Sequence, residues 1–500
     1  MTADSKKIAK NTMLLYIRML LIMAVTLYTS RIILKVLGVE DYGIYNLIAG
    51  FVTFLIFISN SLVSAMQRYF NVSLGQNDPQ RYKEAFSMSI NILFLFSILI
   101  LVVGETIGLW FVHNHLKIPE TRFSAAMWVY QISLLTFVAN TLRTPFHASI
   151  IAHEKMSFYA YISIAEVILR LVLVFALTAI PYDSLIMYTA LYLGIMIGVD
   201  LIYIVYCIRN FEVCQYSFKR DGKLFKELLG FSGWSLIGQS SVVIKGQGEA
   251  ILINRFSSVM TNAAMGVALQ VTNAIEMFVS NFQTAFNPQL TQTYASGDMK
   301  THRQLLFWTA KFSYYLLLVI LLPVVFNIDS ILDFWLEKVP EYTRYFVVFI
   351  LISYLFNALS TPFYTSILAS GKIKYYQISL GITFAIGLLF IYIVLRIGMP
   401  PYSVSVIAIF IQVALLIERV LFCKKCTGIS IWNFAKEIII PVSACTIVST
   451  IVSFALSKIA IGGSIIAIGL EIFIVLGFIL IIGLTPKERF FIFSMIKKRK

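Results

Sequence analysis

The sequence predicts an all-α integral membrane protein of about fourteen transmembrane helices, built as two six-helix lobes in a parallel repeat plus two C-terminal helices. Three observations carry this expectation. The 500-residue chain is 59% hydrophobic and only 13% charged, with a mean hydropathy of +0.83, whereas a soluble chain carries roughly a quarter charged residues. Long apolar stretches recur along the whole chain, and each approaches the ~20 residues that a helix needs to cross hydrocarbon with its backbone satisfied internally. One twelve-residue phrase occurs twice, as "TPFHASIIAHEK" at residues 144–155 and "TPFYTSILASGK" at residues 361–372, with seven positions identical.

In chain order the spans are expected over 12–34, 42–64, 85–112, 123–143, 159–180, 185–208, 231–253, 263–285, 306–328, 342–361, 376–397, 403–422, 436–457 and 463–484. An even number returns both termini to one side. Segments on that side hold about 26 of the 40 basic residues, including Lys6, Lys7, Lys10 and the tail "KKRK", against about 8 opposite. Basic loops stay in the cytoplasm, so both termini are expected there. The first apolar stretch has no short hydrophobic region followed by a small-residue cleavage site, which marks a retained helix and not a signal peptide.

The two copies of the phrase close the fourth and tenth helices, six helices apart. Weaker correspondences share the spacing: "GIYNLIAGF" from Gly43 with "GVALQVTNA" from Gly266, Ser59-Asn60 with Ser280-Asn281, and "SLGQND" with "YASGDM". Because an even number of helices separates equivalent elements, the lobes share an orientation and frame a central cavity, as in parallel-repeat transporters. The expected division is a lobe over 1–210, a cytoplasmic linker over 211–230, a second lobe over 231–425 and two extra helices with a basic tail over 426–500. Within the linker, "KRDGKLFKELL" at 219–229 sets charges against Leu224, Phe225 and Leu228 at helical spacing, as a surface helix does. The Thr-Pro steps read either as kinks or as helix ends.

A net charge of +15 scattered over short loops, with no patch of exposed aromatics between the basic residues, points to orientation and membrane-lipid contact and away from nucleic acid. The five cysteines imply no disulfide framework, and Cys423-x-x-Cys426 lacks further ligands for a metal. His113 and His115 lack a third ligand. The Asn71-Val72-Ser73 sequon falls on the cytoplasmic side, where it is unused.

The opening "NTMLLYIRMLLIMAVTLYTSRIILKVLGVEDYGIYNLIAGF", with Leu37-Gly38 before Glu40, Asp41, Tyr42 and Gly43, and then "SNSLVSAMQRYF" closing the second helix, resembles the polysaccharide exporters of the multidrug/oligosaccharidyl-lipid/polysaccharide exporter superfamily. These include bacterial flippases for undecaprenyl-diphosphate-linked oligosaccharides. The resemblance spans the whole helix plan. It implies a V-shaped bundle in the bacterial inner membrane that works by alternating access in surface polysaccharide (O-antigen, lipopolysaccharide) biosynthesis, beside polysaccharide polymerase machinery.

Ionisable residues at membrane depth are costly, about 2.5–3.5 kcal/mol on insertion scales, and usually face a cavity or a partner. Glu166 and Arg170 lie four apart on helix five, and Lys245 and Glu249 four apart on helix seven. Glu276, Lys311, Asp200, Glu471, Arg18 and Arg31 complete the set. Helix seven is polar at its centre (Gln239, Ser240, Ser241, Lys245, Gln247, Glu249) and interrupted by Gly246 and Gly248, a pointer to a binding site. The candidate substrate residues are therefore Lys245, Arg170 and Arg18 for phosphate, with Glu249, Gln239, Gln247 and Asn281 beside them. Gln283 adds a further amide. Each has a structural counter-reading: an i,i+4 ion pair for Lys245 with Glu249, a helix-locking pair for Glu166 with Arg170, and headgroup contact for Arg18. Glu276 and Glu166 are the carboxylates suited to coupling with H+ or Na+. Glu276 has no partner one turn away, which leaves either a neutral, desolvated acid or a pair with Lys245.

Two other function classes fit the composition. A cation-coupled multidrug antiporter of the same superfamily would favour acidic and aromatic cavities. An integral-membrane polysaccharide polymerase would need a soluble-facing site, yet the longest outer segment, about 329–342, is short, and no phosphate-cradling loop or nucleophile elbow appears. No catalytic residue, metal or cofactor is expected.

Overall fold

The computed structural model describes residues 2–53, 56–115, 118–178, 181–217, 221–335, 339–459 and 465–490. Every regular element among them is helical: α1 (Thr2–Thr53), α2 (Ile56–Gly75), α3 (Pro79–Val103), α4 (Leu109–His115), α5 (Phe123–Ala152), α6 (Met156–Leu177), α7 (Ser184–Asn210), α8 (Gly222–Phe256), α9 (Val259–Ala295), α10 (Met299–Phe326), α11 (Ile328–Trp335), α12 (Thr343–Ser370), α13 (Lys374–Arg396), α14 (Ser403–Thr427), α15 (Ile431–Phe434), α16 (Ile440–Ile459) and α17 (Ile465–Phe478). α1 turns at Gly38 (φ 78°, ψ 171°), a conformation that only glycine adopts without strain.

Ten helical stretches among the described residues are by themselves long and apolar enough to cross a membrane, so the chain is a multi-pass integral membrane protein. The other four expected spans fall in α1 with α2, in α8 and in α17, which supports the count of fourteen only roughly. α8 carries polar residues along its middle, and the apolar runs Asn11–Thr26 and Ile468–Gly483 are short.

Two expected helix ends are corrected. α5 continues past 143 to Ala152, and α12 past 361 to Ser370, with Pro145 and Pro362 inside. Thr-Pro therefore does not terminate either helix. The Ala358 carbonyl, which Pro362 has no N–H to meet, accepts instead from Gln283 Nε2 on α9 at 3.1 Å. Thr144 and Thr361 bond back to the carbonyls of Asn140 and Asn357 at 3.3 and 2.8 Å. The linker helix is not separate either. Asp221 accepts from the amides of Lys223 and Leu224 (2.9 and 3.1 Å) and starts α8, which runs on to Phe256. Lys219, Arg220 and the "KKRK" tail lie outside the described residues, as do the side chains of Lys6, Lys7, Lys10 and Arg31.

Packing divides the chain into two compact units, Met13–Leu236 and Ile237–Lys500 together with Met1–Thr12. Each is built around the helix that carries the repeated phrase. In the N-terminal unit α5 packs against α7, α2 and α3; in the C-terminal unit α12 packs against α14, α9 and α10. Five of the seven identical positions are buried in both copies: Pro145 and Pro362, Phe146 and Phe363, Ser149 and Ser366, Ile150 and Ile367, Ala152 and Ala369. The phrase is a packing instruction, written once for each central helix.

The turns into α3 and α10 also match. A left-handed residue, Asn77 (φ 52°) or Gly297 (φ 79°), precedes Asp78 or Asp298, which cap Arg81 N and Thr301 N at 2.9 and 3.1 Å. At the end where α5 and α7 begin, Arg122 joins Asp41 (2.6 Å) and Asp183 (2.5 Å), and Asp183 caps α7 through the amides of Leu185 and Ile186. Partial burial pushes the Asp183 carboxyl up, but the Arg122 hydrogen bond, the helix amides and the guanidinium charge together hold it below its ordinary value. In the C-terminal unit α16 and α17 pack on α10. Buried Lys311 reaches Glu488 at 2.8 Å, Tyr315 donates to the Gly483 carbonyl at 3.0 Å, and Asn327 donates to Glu471 at 3.2 Å.

Candidate substrate cavity

Within the N-terminal unit α1, α2, α5, α6 and α7 converge on a cavity of about 370 Å³. Asn140, Arg143, Thr144 and His147 recur at three- and four-residue spacing along one face of α5. Tyr159, Ser163, Glu166 and Arg170 do the same on α6, while Arg18 and Ile22 line it from α1 and Tyr203 from α7. The polar stripes face inward because lipid offers them no partner.

Each of the three guanidiniums lies against a tyrosine ring: Arg18 over Tyr159 at 4.2 Å, Arg170 over Tyr192 at 4.6 Å and Arg143 over Tyr203 at 5.5 Å. Arg143 is the hub. It sits 3.7 Å from Glu166 and 3.3 Å from Asp200 of α7 and donates to Asn140 at 2.8 Å. Glu166 also accepts from Arg170. Three cations against two carboxylates leave this cluster at 3 − 2 = +1. The Nε groups of Arg18 and Arg170 are buried without a hydrogen-bond partner. A surplus cation with unspent N–H donors on planar forks is suited to oxygen anions, phosphate above all.

Among the expected site residues, Arg18, Arg170 and Glu166 come together here. Arg143, Tyr159 and His147 also line the cavity, although no expectation named them. Arg143 sits one residue before the repeated phrase, and ending the helix at that position hides it as a terminal residue. The remaining expected residues belong to the C-terminal unit. Lys245 and Glu249 form their i,i+4 pair at 2.9 Å, with Glu249 buried. Glu276 meets Tyr354 of α12 and not Lys245, and the Tyr354 hydroxyl also reaches Asn273 at 3.5 Å. Asn281 donates to the Met277 carbonyl of its own helix at 2.7 Å. Gln247 is exposed and Gln239 half-buried. The small residues of α8 serve close packing on α13: a Cβ on Gly238 would stand 1.9 Å from Gln377 Oε1, and one on Gly248 would stand 2.9 Å from Leu388.

The C-terminal unit holds a different buried guanidinium. Arg419 of α14 donates to Ser360 (2.6 Å) and Tyr376 (2.9 Å) and approaches Asn357 (3.4 Å), with Tyr364 beneath it at 5.4 Å.

Comparison with known proteins agrees with this architecture. The family described as "Polysaccharide biosynthesis protein" matches residues 8–294, and the MatE family matches 250–393. The uncharacterized membrane protein EpsK of Bacillus subtilis is 22% identical over 288 residues, an alignment that spans about half (56%) of each chain. A crystal structure of a mutant MATE protein superposes with a TM-score of 0.72 at 12% identity, covering 85% of this chain and 96% of the other. A superfamily transporter from Pyrococcus furiosus, whose binding pocket is described as reversed in polarity, superposes with a TM-score of 0.66 at 14% identity, covering 85% and 96%. Matched over more than half its length, the chain belongs to the family described as "Polysaccharide biosynthesis protein".

Proposed function

We propose that the protein flips a lipid-linked oligosaccharide of the undecaprenyl-diphosphate type across the bacterial cytoplasmic membrane by alternating access, with both termini in the cytoplasm. The observation that supports this most directly is the arginine cavity. Arg18, Arg143 and Arg170 hold more positive charge than Glu166 and Asp200 neutralise, and two buried Nε–H groups are unspent. A diphosphate supplies acceptors for those donors, and Glu166 and Asp200 limit the field so that the cargo also leaves. Lys245 with Glu249 forms a second charged contact of the same reading, available when the cargo separates the pair. Coupling to H+ or Na+ falls to Glu276 or Glu166.

The test is export of surface glycan in a strain whose only exporter is this chain. Arg170→Ala should abolish export at unchanged protein abundance, and Arg170→Lys should restore part of it, because charge is kept and the planar fork is lost. Normal glycan in the Arg170→Ala strain overturns the reading.

A second reading, a cation-coupled multidrug antiporter, draws support from the MatE match over 250–393 and from the acidic Glu276 inside that range. It predicts cation-dependent efflux of organic cations that Glu276→Gln removes.

A further inference from the structure

The end of the C-terminal unit that lies opposite the chain termini in the proposed topology departs from its counterpart in a directed way. Residues 118–122 read "IPETR" and residues 339–344 read "VPEYTR". The second copy contains one extra residue, Tyr342. It is held in the left-handed region (φ 68°, ψ −8°), which a tyrosine seldom occupies. The residue before α7 is the capping Asp183; the residue before α14 is Tyr402, and neither Tyr342 nor Tyr402 caps its helix with a side chain. One cap and the Arg122 clamp are thus given up for rings. Tyr345 stacks on Tyr402 at 4.8 Å and 28°, Phe349 at 5.9 Å and 29°, and Tyr342 lies 6.1 Å away. Tyr345 stays 48% exposed, and Arg344 with Asp329 forms an exposed polar rim at 2.9 Å.

An interfacial anchoring belt explains single rings, such as Trp128 and Tyr182 on the N-terminal unit, which are exposed. It does not explain an inserted tyrosine in a strained backbone feeding a stack of four rings. We infer that Tyr342, Tyr345 and Tyr402 form an exit-side platform for the sugar rings of the exported glycan. The apolar C–H face of a pyranose stacks on the Tyr345 ring, and its hydroxyls bond the rim of Glu341, Arg344 and Asp329. This rests on the proposal that the cargo carries sugars.

The test is saturation-transfer NMR on the full chain in phosphatidylcholine nanodiscs, with soluble repeat-unit oligosaccharide released by mild acid from the host's surface polysaccharide. The wild type should bind it. Tyr345→Leu combined with Tyr402→Leu should weaken binding about tenfold, the effect of one lost ring contact, while Phe at both positions should stay within about twofold. Should the Leu pair fail to fold, Tyr342→Ala provides the same loss at one residue. Absence of binding by the wild type overturns the platform. So does unweakened binding by the folded Leu or Ala variants, or an equal loss in Trp128→Leu, which would mark a generic belt. Arg170→Ala separates the two readings: it should lose export yet keep soluble-glycan binding, so failure of the flippase reading leaves this measurement intact.

Discussion

The two units repeat a frame and exchange its charges. At equivalent places around the repeated phrase, Arg143 faces Ser360, His147 faces Tyr364, Tyr159 faces Tyr376 and Glu166 faces Thr383. The N-terminal unit takes its hub cation from the central helix α5 and finds carboxylates on α6 and α7. In the C-terminal unit the cation is Arg419 on α14, and it reaches back to Ser360, the very position that holds arginine in the other copy. Its neighbour Glu418 bonds Thr383, the counterpart of Glu166. One guanidinium is surrounded by carboxylates and unspent donors, the other by hydroxyls, an amide and a ring. The first arrangement invites a mobile anion, whereas the second already donates to the protein's own neutral groups. The backbone phrase was free to stay because its shared buried residues serve the interior of each unit and not the cavity charges.

The largest expected effect tests that division. Arg143→Ser writes the C-terminal residue into the N-terminal copy and leaves Glu166 and Asp200 facing each other without their shared cation. Breaking such a buried pair costs about 3–5 kcal/mol. Glycan export should fall by two orders of magnitude or more, while membrane abundance, measured by immunoblot, drops far less. Arg419→Leu should do the reverse. It removes the donor to the Ser360 and Tyr376 hydroxyls, at about 1–3 kcal/mol for a buried group left unsatisfied, so thermal stability in detergent falls and the residual folded protein still exports. Equal behaviour of the two variants would dissolve the distinction between a binding arginine and a structural one.

A smaller effect belongs to Gln283→Leu. The Ala358 carbonyl next to Pro362 then loses its only donor outside the helix among the described residues, at about 1–3 kcal/mol. The matching place on the other copy is Leu62, where no amide exists, so Leu62→Ala should not reproduce the loss beyond its own packing term.

The smallest effect is at the ionic corner. The Asp183 carboxyl is held below its unfolded value, so its contribution is present above about pH 4 and lost as the pH falls through the lowered folded value. Arg122→Gln should flatten the acid limb of a stability–pH profile by under about 1 kcal/mol, since the group is partly solvated. At the C-terminal corner Arg344→Gln removes only an exposed pair and should leave the profile unchanged.

Membrane class and the repeated frame were legible because they depend on composition and spacing, which a linear reading captures. Arg18, Arg170 and Glu166 were legible because a charge in hydrocarbon is conspicuous wherever it stands. Arg143 was not, because proline at 145 looks like a helix end until Thr144 and the following turn are seen to carry the helix through. Arg419 stands three residues before the expected end of its span at 422, whereas α14 runs on to Thr427. Gln283 to Ala358 joins positions 75 apart, and nothing local announces it. Glu276 was visible as a buried acid, but its partner Tyr354 sits on α12, three elements on.

The identical packing order around α5 and α12 has a consequence for ancestry. A six-span segment begins and ends on the same side, so tandem duplication of its gene yields a second copy that inserts in the same sense with no change to its topogenic charges. An ancestral half would therefore have met its own twin as a parallel homodimer, and fusion would have released each copy from identity. Swapped arginines and an ionic corner set against an aromatic one are the divergence such a release permits.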